Sequence, residues 1–256
     1  PYTTLFRSLW AAPAGQRAAL VVADGVSTSI DSDAASLAAV TSACDLLAAL
    51  PEDLSDDEVA SALVAAAAGA NHAVIAATNP ASPNAASATF AAALVHGDTV
   101  HVASLGDSRI YWISAEADVA LTLDDSMAQA FIAQGMPRDE AESMPNAHAI
   151  TKWLGRDSED VVPATLAHHL TEDGWLVLCS DGLWNYASAP SALGAQVRAA
   201  LLADATPLEV ARRLVEWANA QGGHDNVTVA VARCRATLGT PTAAQPEAGK
   251  GSPSNG

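Results

Sequence analysis

An aspartate at the end of a buried apolar strand is costly, and this sequence repeats that arrangement. Trp175-Leu-Val-Leu-Cys179 reads as a buried strand that stops at Ser180-Asp181-Gly182. Val21-Val-Ala-Asp24-Gly25 has the same form, and Ser104-Leu-Gly106-Asp107-Ser108 is a close variant. Gly222-Gly-His-Asp225-Asn226 stands just before another apolar strand. An ionised carboxylate in such a place must be paired, hydrogen-bonded or metal-bound to offset its desolvation. One such residue is equally well read as a cap for the next segment. Recurrence of the pattern points instead to one shared, oxygen-rich metal site. Hard oxygen ligands without paired His or Cys favour Mg²⁺ or Mn²⁺ over zinc. Two such cations roughly 3.5–4 Å apart form a common device for phosphoester hydrolysis, because they bind phosphate oxygens and lower the pKa of a water.

The elements that must position these residues can be read from periodicity and caps. Residues 19–23 form a short apolar strand. Residues 33–49 read as a helix with Leu37, Val40, Cys44 and Leu47 at spacings of three and four, ended by Pro51. Ser55-Asp-Asp-Glu58 is a capping box, so a second helix should start at Asp56 and run to about Thr78. Strands follow at 87–96, 99–105 and 109–113, with a His96-Gly97-Asp98 turn; this meander implies an antiparallel sheet. Residues 114–160 read as an irregular insertion with short helices at 125–135 and 138–144. Strands at 162–169 and 175–179 precede helices at 190–203 and 207–221. The last helix has Thr206 as N-cap, Pro207 at N1 and Glu209 at N3. A strand over 227–234 closes the domain, and 237–256 is expected to be disordered. Helices segregated from antiparallel strands define the α+β class, with two helix pairs available to cover two sheet faces.

Composition narrows the function classes. The chain has 256 residues, half of them hydrophobic, and a net charge of −17 from 12 basic and 29 acidic residues. That charge argues against nucleic acid and anionic membrane as partners. No run of 18 or more strongly apolar residues is evident, so no membrane span is expected. Cys44, Cys179 and Cys234 lack zinc spacing and read as buried thiols of a cytoplasmic protein.

Taken in order, Ala23-Asp24-Gly25, Ala88-Thr-Phe90, Gly106-Asp107-Ser108-Arg109, Ser180-Asp181-Gly182-Leu183-Trp184 and Asp225-Asn226-Val227-Thr228 resemble the motifs of the metal-dependent Ser/Thr protein phosphatases of the PPM (2C) type, bacterial form. A single Asp-Gly pair carries no information; the ordered set is specific. The resemblance spans about 9–235. It implies a four-layer αββα sandwich of two mainly antiparallel sheets flanked by helix pairs. It also implies two Mn²⁺ or Mg²⁺ ions at one edge, with a third, weaker site. By position, Asp24 would bridge the metals and Gly25 would offer its carbonyl oxygen. Asp181 and Asp225 would bind the second ion, and Asp107 with Asp181 the third. The implied partners are phosphorylated proteins, a Ser/Thr kinase or its substrates among them, with the chain acting as a monomer. Residues 114–160 would be the flap beside the site, entered at Leu121-Thr-Leu-Asp124-Asp125-Ser126.

The sequence departs from that family at its start. An Arg and an acidic residue expected upstream of the first Asp-Gly have no counterpart, since no acidic residue precedes Asp24. Residues 1–8 read as a non-native scar, the domain as 9–236, and Arg7 as a phosphate ligand by residue type alone. A rival reading is therefore a catalytically impaired, phosphatase-like binding or regulatory module. Val26 follows Gly25 where animal-type members often carry a general-acid His, which would leave water or bound metal to protonate the leaving group. Among other candidates, His168 and His169 should face opposite ways in a strand. His224, Ser27, Thr28 and Ser29 read as loop residues, and Trp153 and Trp184 as packing. Arg109 reads as the structural partner of a carboxylate.

Overall fold

The structure is a computed structural model that describes residues 6–11, 17–202 and 205–236. The expected tail at 237–256 lies outside the described residues. The first sheet has the spatial order β1 (Phe6–Ala11), β2 (Arg17–Ala23), β4 (Phe90–His96), β5 (Thr99–Leu105) and β9 (Ala164–His169). The second runs β11 (Val229–Cys234), β10 (Gly174–Cys179), β6 (Arg109–Ser114) and β7 (Asp118–Ala120). A two-stranded ribbon joins β3 (Ser87–Ala88) to β8 (Leu154–Gly155). All these pairings are antiparallel.

Strand alternation builds the layers. In β2, Leu20 and Val22 face the second sheet and meet Ile110, Leu176, Leu178 and Ala230 in the central core. Ala19, Val21 and Ala23 point the other way, onto α1 (Ser32–Ala48) and α2 (Asp56–Ala77). In β10, Val177 and Cys179 pack against α5 (Asp181–Trp184), α6 (Pro190–Ala200) and α7 (Pro207–Ala220). The result is the expected αββα sandwich. Alanines on β2, β4 and the helices bring these layers together with few large side chains. Both expected capping boxes form: Ser55 with Glu58, and Thr206 with Glu209. The three cysteines are buried and none forms a disulfide.

Several expectations need correction. The boundary at residue 8 falls inside β1, where Phe6, Arg7 and Ser8 pair with Ala23, Val22 and Val21. These residues therefore belong to the sheet edge beside Asp24. The strand expected over 87–96 breaks at Thr89, whose polar groups turn to Asp24 instead. β7 extends the meander to Ala120, so the irregular insertion starts after it, and the helix expected to reach 203 ends at Ala200. The insertion carries α3 (Met127–Ala133) and α4 (Arg138–Ser143). Finally, α2 is long and apolar enough, by length and composition, to cross a membrane. Its hydropathy is largely alanine, and its Val59, Leu63, Ala66, Ala67, Ala70 and Val74 stripe is buried in the helix–sheet core.

Candidate active-site cleft and metal centre

Asp24 follows β2 directly, and its backbone is clamped by one threonine. Its N–H donates to Thr89 Oγ1 at 2.9 Å, and the Thr89 N–H donates to the Asp24 carbonyl at 2.8 Å. Thr89 Oγ1 also shares a 2.7 Å hydrogen bond with Ser108 Oγ. Thr89 therefore ties the Asp24 corner to the Asp107 corner. A Cβ on Gly25 would collide with the Ser32 carbonyl, so the entry to α1 passes Asp24 only because that position is glycine.

Asp107 sits on the turn between β5 and β6 and is 9% exposed. Gly106 takes φ +94° there, against the Thr89 side chain. The Gly106 N–H donates to Asp125 Oδ2 at 3.1 Å, and the Asp125 N–H returns a 2.8 Å bond to the Gly106 carbonyl. The Asp107 carbonyl accepts from Trp184 Nε1 at 2.8 Å.

Asp181 opens α5, and Ser180 joins it to the Asp225 loop. The Thr228 N–H donates to Ser180 Oγ at 3.0 Å, and Ser180 Oγ donates to the Asn226 carbonyl at 3.1 Å. A Cβ on Gly182 would strike that same Asn226 carbonyl, so glycine is needed for the close approach. This strap carries Asp225 to the mouth of the site, where the Asn226 N–H donates to Asp225 Oδ1 at 2.7 Å.

Asp24, Gly25, Asp107, Asp181 and Asp225 all line one cleft of about 680 Å³. Burial, then the charges of Asp181 and Asp107, push the Asp24 carboxyl up to about 9. Burial, then Asp181 and Asp124, push Asp107 up to about 7. Asp181 is raised by burial and by Asp225. Among the described residues, no three His, Cys, Asp or Glu side chains already form a group able to hold a metal ion. The carboxylates share a cleft rather than one closed ligand sphere. They nonetheless fit a hard cation: Asp181 Oδ1 is buried with no hydrogen-bond donor, and Asp181 is the carboxylate whose charge weighs most on Asp24. Two such carboxyls need a proton or a cation between them.

Arg109 is a latch beside this cleft. Its Nε and Nη2 donate to Asp124 at 2.8 and 2.6 Å, and Nη1 donates to Ser188 Oγ at 3.0 Å. Its guanidinium lies 3.6 Å from the centre of the Trp184 ring. Burial alone would lower the Arg109 pKa; the Asp124 bonds and charge outweigh it and raise the net value. The expected carboxylate partner is thus Asp124, at the entrance of the insertion. That insertion closes on itself: the N–H groups of Met127 and Ala128 donate to the carbonyls of Ala149 and Ala147. Ala128, Ala141 and Ala147 form its small core, with Phe131, Ile132 and Met136.

The remaining candidates fall as follows. Ser29 donates to the Val26 carbonyl and accepts from the Ser87 N–H, a loop role; with Ser27 and Thr28 it lines the cleft. His168 lies against the Trp112 ring, tilted by 49°, and His169 bonds Thr99. The His224 N–H donates to the Tyr186 hydroxyl. Trp153 packs on the helix–sheet core while also lining the cleft. Arg7 is placed by its backbone pairing alone. Sequence reading missed His148, which reaches the cleft from the insertion. No periodicity or motif marks it, because irregular backbone puts it there.

A five-stranded and a four-stranded antiparallel sheet between helix layers, with carboxylates gathered at one edge, define a class, and a family model described as protein phosphatase 2C matches residues 7–219. The chain belongs to that family. Among curated proteins it is similar to the protein phosphatase PhpP of Streptococcus pneumoniae, 34% identical over 131 residues, which are 50% of each chain. The chain thus spans about half the length of the first curated relatives it matches. Among solved structures, the S. agalactiae serine/threonine phosphatase aligns with TM-score 0.76 and 26% identity, over 90% of this chain and 92% of that one. The catalytic domain of the phosphatase PstP, in complex with two manganese ions, aligns with TM-score 0.67 and 25% identity, over 90% and 92%.

Proposed function

We propose that this chain is a metal-dependent protein Ser/Thr phosphatase that hydrolyses phosphoserine and phosphothreonine in proteins. The observation that carries this reading is the convergence of Asp24, Asp107, Asp181 and Asp225 from four separate corners on one cleft, with a buried Asp181 oxygen left without a donor. Asp24, the Gly25 carbonyl, Asp181 and Asp225 would hold two Mn²⁺ or Mg²⁺ ions, and Asp107 with Asp181 a weaker third. When bound, such ions supply positive charge to phosphoryl oxygens and lower the pKa of water. The protein's part is to preorganise that charge. Thr89 holds the Asp24 and Asp107 corners together, the Ser180–Thr228 strap fixes Asp181 beside Asp225, and Trp184 holds the Asp107 backbone.

The test is release of phosphate from a phosphothreonine peptide in Mn²⁺, compared with chelator. Activity should require metal and fall by orders of magnitude in Asp181→Asn. Full activity in either chelator or that variant would falsify the assignment. One observation favours the binding-module alternative: among the described residues, the cleft has no Lys or Arg to grip a phosphate. Absence of turnover at every Mn²⁺ concentration, with a protein partner still retained by the folded chain, would select it.

A further inference from the structure

Phosphomonoester hydrolysis at serine or threonine expels an alkoxide, far more basic than the phenolate of an aryl phosphate, so its departure gains from a proton donor. Among the described residues, the cleft lining holds five carboxylates, several hydroxyls, one amide and one imidazole. Four of the carboxylates, Asp24, Asp107, Asp181 and Asp225, are assigned above to cations and are then ionised, and the fifth, Asp157, is exposed and paired with Arg156. Hydroxyls and amides are poor acids near neutrality. Histidine is the side-chain type suited to giving a proton there.

That imidazole is His148. It is exposed on its own loop, yet lines both the main cleft and a smaller adjoining cavity of about 180 Å³, and Asp107 lines the same two spaces. Its ring lies 6.2 Å from the Trp184 ring, tilted by 41°. Trp184 is 4% exposed and fixed by its bond to the Asp107 carbonyl. The residues on either side of His148 are tied to the start of α3 through the Ala147 and Ala149 carbonyls. The imidazole therefore stands beside Trp184, the side chain that holds the Asp107 backbone, where the cleft and the smaller cavity meet.

We infer that His148 is the general acid of this site, donating its proton to the departing serine or threonine oxygen. This deepens the phosphatase reading and rests on it. In the step, water oxygen forms the new bond to phosphorus. The phosphorus–oxygen bond to the side chain breaks, and its electron pair stays on the alkoxide oxygen. The imidazolium N–H proton passes to that oxygen to give the alcohol, and the proton lost by the water returns to the imidazole through solvent.

The experiment compares two substrates of the wild type and His148→Gln in Mn²⁺: a phosphothreonine peptide and p-nitrophenyl phosphate. The kcat for the peptide should fall by about a hundredfold or more, the usual contribution of a positioned acid, while turnover of the aryl ester changes little. Equal effects on both substrates, or none, with an unchanged unfolding temperature, overturn the inference. If His148→Gln unfolds early, His148→Asn carries the same comparison. Binding gives an independent readout: in Mg²⁺, the ring NMR signals missing from His148→Gln should shift when a phosphonate analogue of the peptide is added. A static signal overturns the contact. Failure of the wild type on both substrates would instead overturn the phosphatase reading, and this assignment with it.

Discussion

At the residue scale, Thr89 shows how one hydroxyl organises a site. It accepts from the Asp24 N–H, bonds Ser108, and so couples two corners that are far apart in sequence. Thr89→Val keeps the shape and leaves the Asp24 N–H without its partner. A loss of about 1–3 kcal/mol is expected in denaturant unfolding, the cost of an unsatisfied buried donor. The carboxyls make a second, pH-dependent demand. In the metal-free protein Asp24 and Asp107 are raised to about 9 and about 7 from 3.8, mainly by burial. A raised carboxyl contributes stability that is fully present below the unfolded value and is lost as pH climbs through the folded one. In chelator, the unfolding temperature should therefore drop between about pH 4 and pH 9, and Asp24→Asn should flatten that slope. Added Mn²⁺ should also reduce it. An identical slope in the wild type and Asp24→Asn would refute the coupling.

At the element scale, the Arg109 latch joins β6, the entrance of the insertion and the loop after α5. Asp124 and Arg109 are both largely buried, with side chains 12% and 11% exposed. Removing one partner leaves an uncompensated charge and should cost about 3–5 kcal/mol, whereas replacing both by apolar residues is often nearly neutral. Arg109→Met should accordingly be much less stable than Arg109→Met/Asp124→Leu. Hydrogen exchange should show α3 and α4 opening more readily in the single variant. The insertion has only a small alanine-lined core of its own, so its order depends on that latch and on its self-pairing at 126–128 and 147–150.

At the scale of the whole molecule, stability resides where the two sheets face each other. Leu178 is fully buried there, three residues before Asp181. Leu178→Ala should cost about 2–5 kcal/mol by leaving a cavity. Leu37, expected in the apolar stripe of α1 with Val40, Cys44 and Leu47, instead lies outside the buried face and is 47% exposed, so Leu37→Ala should stay within about 0.5 kcal/mol. Denaturant titration of both variants decides whether the inter-sheet layer holds that share. A chain of net charge −17 also repels itself, so moderate NaCl should raise the unfolding midpoint by screening.

Much of this was legible before the fold was known. Capping boxes, the meander and the helix stripes are local patterns, and local chemistry forms them wherever the chain goes. The aspartates were legible too, because a carboxylate beside a buried apolar run needs an explanation that packing does not supply. β1 was less so: its edge role depends on pairing with β2, not on its own composition. Thr89, the Ser180 strap and the Arg109 latch join residues many positions apart, and no spacing rule reports such contacts. Sequence alone therefore determined the element types, the class and the residues able to do chemistry, since those follow from short-range periodicity and residue type. Tertiary structure alone decided that Asp24, Asp107, Asp181 and Asp225 share a cleft and that His148 lines it too. Those facts depend on how two sheets and an irregular insertion are set against each other, and no stretch of the chain encodes that by itself.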